Sequence, residues 1–345
     1  MKNYGFSFVL LRFFLTEMGF PVMLFATIPA KPLNNAQIGG LLFPGMSCNK
    51  PPKTYEEQLA LLKNRGLIID DEPRAIHCLK HHNYYRLSAF RFPLTVMGDP
   101  DQFLPGTKFS ELWNLYHFDR VLRQLVAEGV KRVEISVRAH WAYVLAHAHG
   151  PQAYEHAPVF RNPQRHTDAL AKLDAELGRS HEDFVSHYKK KYNMVRPPIW
   201  AACEVMSFGL LSRFYENIKR NSNRKQISNT YGLSPEVLES LLQHCAYIRN
   251  LCAHHSRLWN RRFTITVQLP KFSPPSLISN FNLIEGRRIY NTLVLLVFVV
   301  EIIEPKNQWA KRLFDHINTL NPNLHSHMGF PPDWKDRPIW KNLKA

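Results

Sequence analysis

Apolar residues recur every three or four positions through residues 109–149, and this spacing places them on one face of a single long helix. Gly129 is the point at which such a helix would divide. The apolar positions are Leu112, Leu115, Tyr116, Leu122, Leu125, Val126, Val130, Val133, Val137, Trp141 and Leu145. A helix of this length has the dimensions of the central helix of a bundle.

The rest of the chain also carries helix signals. Thr54 and Glu57 form a capping-box pattern before a helix that Gly66 would end, and Ser234 with Pro235 marks the start of a helix that should reach about Trp259. Further helices are predicted over residues 72–82, 164–177, 182–192, 199–208, 210–220 and 287–303. Residues 83–92 look like an extended connector or short strand. We therefore predict an all-α fold with at most minor strand content.

We divide the chain into an apolar extension (1–48), a helical domain (49–320) and an irregular tail (321–345). The extension's apolar stretches are shorter than a membrane-spanning helix. Three interpretations fit it: a signal peptide, a weak membrane anchor, or a poorly ordered or over-extended start with Met46 as the true initiator.

The chain is basic, with 44 Lys and Arg against 28 Asp and Glu, a formal net charge of +16. Such an excess favours nucleic acid, because neutralising phosphates releases condensed counterions, although anionic membranes would suit the same charge. The five cysteines are dispersed, with no C-x-x-C pair, which favours reduced thiols in the cytoplasm. No histidine cluster has convincing metal-ligand spacing, so we expect no metal site.

One stripe of polar and basic side chains should lie on the helix that begins at Ser234. Positions three, four and seven apart share a helix face, and the stripe contains Tyr247, Asn250, His254, Arg257 and Arg261. Arg249 is roughly 140° around the helix from His254 and so lies beside the stripe.

Histidine with arginine suits metal-independent RNA cleavage. A histidine can move the proton of a ribose 2′-hydroxyl or of the leaving oxygen, while arginine binds the phosphate, and neither step needs a cofactor. Arg and His near a helix end can instead cap carbonyls or join a polar core network. The residues alone leave both interpretations open.

Residues 249–261 (RNLCAHHSRLWNR) resemble the signature of the Abi (abortive infection, AbiD/AbiF-like) family of the HEPN superfamily, whose ribonuclease motif is R-x4-H. Segments 50–58, 83–90 and 118–140 resemble other blocks of that family in the same order. The resemblance spans roughly residues 49–315.

The resemblance implies a HEPN-like helical bundle with additional helices, phage defence by RNA cleavage, and a homodimer whose two motif helices form one composite site. It implies that His254 is the acid/base, that Arg249 binds phosphate and that Asn250 orients one of them, with His255 as a companion. The stripe, more than the resemblance, assigns Tyr247, Arg257 and Arg261 to RNA contacts. Some relatives associate with a small non-coding RNA. No stable membrane association is expected.

Two alternatives to a ribonuclease remain. One is a non-catalytic RNA-binding or scaffold protein that holds a small RNA, and the other is a membrane-associated factor that uses the apolar N-terminus. Glu134 and Arg138 form either a helix-stabilising ion pair or a support for Arg249 and RNA. The aromatic and basic residues of segment 84–91 either pack in the core or stack unpaired bases.

Overall fold

The computed structural model describes residues 50–343, and most of them are helical. In chain order, the α-helices are α1 (Tyr55–Asn64), α2 (Glu72–His82), α3 (Tyr84–Ser88), α4 (Phe109–His149), α5 (Pro163–Arg179), α6 (Asp183–Tyr192), α7 (Ile199–Val205), α8 (Phe208–Glu216), α9 (Asn221–Asn229), α10 (Pro235–Ala253), α11 (Pro275–Ile278), α12 (Tyr290–Ile303), α13 (Trp309–Asn318) and α14 (Pro338–Lys341). A small antiparallel hairpin, β1 (Thr95–Val96) and β2 (Asp99–Phe103), lies between α3 and α4. The predicted all-α class is confirmed.

The whole of segment 1–48, with the three interpretations of it, lies outside the described residues. Within residues 50–343, no helix combines the length and the apolar character that a membrane crossing needs.

Helix α4 is the spine of the fold. Its apolar face is fully buried at Val126, Val130, Val133, Val137 and Trp141. Helices α7, α9, α10, α12 and α13 pack against it. Helix α12 is apolar on nearly every side, because it lies inside this assembly.

Gly129 does not divide α4, which continues through it. A Cβ atom at this position would lie 2.4 Å from the Trp309 ring on α13. The Trp309 indole donates a hydrogen bond to the Leu125 carbonyl at 2.8 Å. Glycine is needed here because it lets α13 approach α4 closely.

Local capping signals set the helix starts as predicted. The Thr54 hydroxyl accepts from the Glu57 amide at 3.2 Å while the Glu57 carboxylate accepts from the Thr54 amide at 2.7 Å, and Gly66 follows the end of α1 at φ 86°. Ser234 caps α10 through the Val237 amide at 3.3 Å.

Three sequence predictions were wrong in detail. Residues 83–92 are not extended: the Asn83 side chain accepts from the Tyr85 amide at 2.9 Å and starts α3. The helix from Pro235 ends at Ala253, not near Trp259. Helix α9 was missed because its sequence, NSNRKQISN, is almost entirely polar.

Residues 322–343 contain three short helical turns. Trp334 and Trp340 are buried there, and both pack against Phe314 and Phe330.

Candidate functional site

A groove of about 950 Å³ lies where α2, α3, α4 and the end of α10 meet. Arg249, Cys252 and Ala253 contribute from α10, and His255 follows directly after it. We call this site the basic groove.

Positive charge dominates the basic groove. Its lining includes six cations, Arg86, Arg120, Arg123, Lys131, Arg138 and Arg249, and three histidines, His81, His82 and His255. Among these lining residues, all within 50–343, Glu134 is the sole carboxylate. Such a surface attracts phosphate groups.

Four of these six cations carry a charge that no carboxylate of residues 50–343 neutralises. Arg123 is paired with Asp119, and Arg138 with Glu134. In the described part of the chain, no ion pair to a carboxylate is formed by the other four, Arg86, Arg120, Lys131 and Arg249.

Two backbone hydrogen bonds end α10 and fix the positions of the residues that follow it. The His255 amide donates to the Cys252 carbonyl at 3.1 Å, and the Ser256 amide donates to the Leu251 carbonyl at 2.8 Å. This is a Schellman ending, with His255 in the left-handed position that glycine usually occupies, at φ 55°. The chain therefore turns away at His254, and the predicted stripe does not continue beyond it.

Arg249, Asn250 and His254 do not all face the groove. Arg249 lines it, and its guanidinium donates to the Asn250 side-chain oxygen at 3.5 Å. Asn250 and His254 are exposed but are not groove-lining residues; their backbones are joined by a hydrogen bond of 2.9 Å from the His254 amide to the Asn250 carbonyl. His255, the residue that follows the motif histidine His254, shares the groove with Arg249.

The Arg257 side chain makes its contacts within the protein. Its guanidinium donates to the Ala89 carbonyl and lies over the Phe90 ring, 6.0 Å from its centroid. Burial lowers the pKa of Arg257, and the nearby charge of Arg261 adds to this effect. Neither arginine lines the groove.

Tyr247 also lies away from the groove. Its hydroxyl accepts from the Thr264 hydroxyl at 3.4 Å, and its ring packs edge-on against Phe263. The structure therefore does not bring Tyr247, Arg257 and Arg261 together with Arg249.

Glu134 and Arg138 both line the groove, and Arg138 also connects α4 to the segment between α7 and α8. Besides pairing with Glu134, it donates to the Glu204 carbonyl at 3.1 Å and to the Met206 carbonyl at 2.7 Å, at the break between α7 and α8. The pair therefore lines the groove and also joins α4 to the segment between α7 and α8.

Two groove side chains bear on possible chemistry. Burial raises the pKa of Cys252 to about 12, so its thiol stays protonated at neutral pH and is not a nucleophile. Burial lowers the pKa of His82, whose ring lies edge-on to Trp113 and Tyr116. Within residues 50–343, no group of three or more His, Cys, Asp or Glu side chains is placed to hold a metal ion.

A family model described as "Abi-like protein" matches residues 77–260. The chain belongs to the Abi-like family. Comparison with curated proteins and with solved structures gives no match.

The Abi-like match covers the whole basic groove, whose lining residues run from His81 to His255. The family connects the chain with abortive infection, a form of defence against phage.

Two groove-supporting residues of this Abi-like protein were missed as candidates from the sequence. The buried Asp119 carboxylate accepts hydrogen bonds from the Leu258 and Trp259 amides, at 2.9 and 2.7 Å, and pairs with Arg123. Both charged residues occupy positions on α4 that the apolar repeat assigns to the core. A charged residue at a core position of the apolar repeat was the sequence signal that could have identified Asp119 and Arg123.

A third contact secures the same loop. The Arg86 guanidinium, from α3, donates to the His255 carbonyl at 2.9 Å. Together with the contacts of Asp119 and Arg257, it fixes the path of the chain after Ala253.

Proposed function

We propose that this Abi-like protein is a metal-independent endoribonuclease of the HEPN type that acts in phage defence. The observation that carries the proposal is the position of Arg249, which forms no ion pair in the described chain and lines a groove rich in other cations. The chemistry uses the protein's side chains alone and needs no cofactor.

The proposed reaction cleaves the RNA backbone through its own ribose. A histidine takes the proton of a 2′-hydroxyl, the freed oxygen attacks the adjacent phosphorus, and the bond to the 5′-oxygen breaks as that oxygen receives a proton. The products end in a 2′,3′-cyclic phosphate and a 5′-hydroxyl. Arg249 would hold the phosphate and stabilise the charge that builds on it.

Two histidines are candidates for proton transfer. His254 is the motif residue, is exposed, and in a homodimer would join the composite site; Asn250 would orient it or Arg249. His255 already faces the groove of its own chain. Single substitutions distinguish them.

A non-catalytic RNA-binding or scaffold protein is the second candidate. The observation that favours it is that His254 of the same chain does not line the groove with Arg249. The groove would then hold phosphates of a bound RNA, such as a small non-coding RNA, without cutting it.

The test incubates purified protein with mixed RNAs in EDTA and follows both cleavage and RNA affinity. We expect Arg249→Ala and one of His254→Ala or His255→Ala to abolish cutting, while Arg213→Ala, an exposed arginine outside the groove lining, keeps it. A wild type that binds RNA but never cuts would support the second candidate. Variants that cut as well as wild type would exclude the assigned roles.

A further inference from the structure

Helix α6 carries aromatic rings and lysines on a surface separate from the residues that line the basic groove. None of its side chains is fully buried. Tyr188 and Tyr192 are four residues apart and form a ridge, with ring centroids 5.8 Å from each other. The His187 ring lies 5.9 and 5.7 Å from those two rings.

The ridge continues onto the next helix. The Trp200 indole, on α7, donates to the Tyr188 hydroxyl at 3.3 Å. Trp200 is 50 % exposed and Tyr192 is 53 % exposed, so large ring faces meet solvent. Clusters of this kind on a protein surface usually mark a binding site.

Lysines flank this aromatic ridge. Lys189 and Lys191 lie on its two sides, given the 100° step of a helix, and the Lys191 ammonium lies 5.3 Å from the Tyr192 ring centroid. Residues 189–191 are exposed, and none forms an ion pair in the described part of the chain. The acidic side chains of this helix region, Glu182 and Asp183, are confined to its start.

The aromatic ridge and the groove are connected through α7. Arg138, which lines the groove, donates to the Glu204 carbonyl near the end of α7. Trp200 precedes Glu204 by four residues, about 6 Å along the helix axis.

We propose that residues 187–192 and Trp200 form a stacking platform for an unpaired RNA strand that leaves the basic groove. Aromatic faces stack on bases of any sequence, and the lysines neutralise the phosphates between them. In a duplex the faces of the bases are stacked on one another and cannot meet the rings, so the platform selects unpaired RNA over duplex. This inference rests on RNA being the ligand of the groove.

The test measures binding of a 2′-O-methyl oligouridylate of 12 nucleotides, which cannot be cleaved through a 2′-hydroxyl, and of a 12-base-pair RNA duplex. We expect Tyr192→Ala and Trp200→Ala each to weaken binding of the single strand by about tenfold. Tyr192→Phe and Trp200→Phe keep an aromatic ring and should bind like wild type. Circular dichroism checks that each variant is folded.

The lysines are tested by salt dependence. Replacing Lys189 and Lys191 with Ala should reduce the slope of log affinity against log salt by about 1.4, because each single-strand phosphate contact contributes roughly 0.7. The matched control replaces the exposed Lys172 and Lys225 with Ala and should leave the slope unchanged.

The platform would be overturned if the wild type did not bind the single strand, or if the ring deletions changed its affinity less than twofold. It would also be overturned if the variants kept their RNA affinity but lost a dimer, or lost only the binding to phosphatidylserine vesicles. The proposed function fails separately. If platform variants lose RNA affinity while Arg249→Ala neither weakens binding nor changes cutting, residues 187–192 and Trp200 bind RNA, but the groove assignment and the path of the strand from groove to platform both fall.

Discussion

The Asp119 carboxylate accepts a hydrogen bond from the Trp259 amide at 2.7 Å, across 140 residues of sequence. The same oxygen accepts from the Leu258 amide, and the other oxygen pairs with Arg123. Burial raises the pKa of Asp119, and Arg123 opposes that effect. One buried side chain therefore joins α4, the groove wall and the loop after His255.

Removing the Asp119 carboxylate should destabilise the fold strongly. We expect Asp119→Ala to cost about 3–5 kcal/mol of unfolding free energy, because Arg123 would remain buried without its partner. Asp315→Ala removes an exposed pair with Lys311 and should cost less than about 1 kcal/mol. Urea unfolding measures both. Equal losses in the two variants would contradict the role given to Asp119.

Gly129→Ala should be destabilising although alanine favours helices. The added Cβ would overlap the Trp309 ring at 2.4 Å, and we expect a loss of about 1–3 kcal/mol. Gly178→Ala is the matched control, because nothing lies within 4 Å of a Cβ at that helical position. It should gain up to about 1 kcal/mol. Thermal or urea unfolding of the two variants gives the comparison, and a stabilised Gly129→Ala would refute it.

The sequence predicts what is local in this fold. The caps at Thr54 and Ser234 and the apolar repeat of α4 follow from neighbouring residues, and the structure agrees with them. The end of α10 could not be predicted in this way, because His255 occupies a position where glycine is the usual signal.

The groove depends on contacts between distant segments. Arg86 meets His255 across 169 residues, and Asp119 meets Leu258 across 139 residues. No periodicity reveals such pairs. The resemblance to a family drew attention to the helix end that lines the groove. The sequence also placed Arg257 with the RNA-binding residues, whereas the structure shows it bound to Ala89.

Stability should depend on pH through His244. This buried ring donates from Nδ1 to the Ile265 carbonyl at 2.8 Å and accepts from the Thr292 hydroxyl at 2.7 Å. Burial lowers its pKa from 6.5 to about 4. The unfolded chain therefore binds the proton first as the pH falls.

The contribution of His244 is complete above pH 6.5 and is lost progressively as the pH falls towards 4, by roughly 3 kcal/mol in total. We expect His244→Gln to lower the free energy of unfolding at neutral pH. Between pH 7.5 and 5, the free energy of unfolding should fall by about 2 kcal/mol less in the variant than in the wild type. Urea unfolding over this range provides the test. Parallel curves for the two proteins would exclude His244 as the titrating group.

The conformation and the ring of His255 can be separated by two substitutions. His255→Ala and His255→Gly both remove the ring from the groove, but alanine keeps a Cβ in the left-handed conformation at φ 55°. We expect the glycine variant to be more stable than the alanine variant by about 1 kcal/mol. Both should lose the same RNA affinity if only the ring contacts RNA. A difference in affinity that follows stability would show that the loop's path matters instead.

The unpaired groove cations should control RNA affinity through charge alone. Arg120→Ala and Lys131→Ala each remove one cation that has no ion pair within residues 50–343. If each meets one phosphate, each should reduce the slope of log affinity against log salt by about 0.7 for single-stranded RNA, with little effect on sequence preference. Arg213→Ala removes the same charge outside the groove lining and should leave the slope as it is.

Fluorescence anisotropy between 50 and 200 mM salt, about the range over which phosphate contacts are screened, measures the slopes. If all three variants shift the slope alike, the effect reflects overall charge, and the groove has no special part in holding RNA.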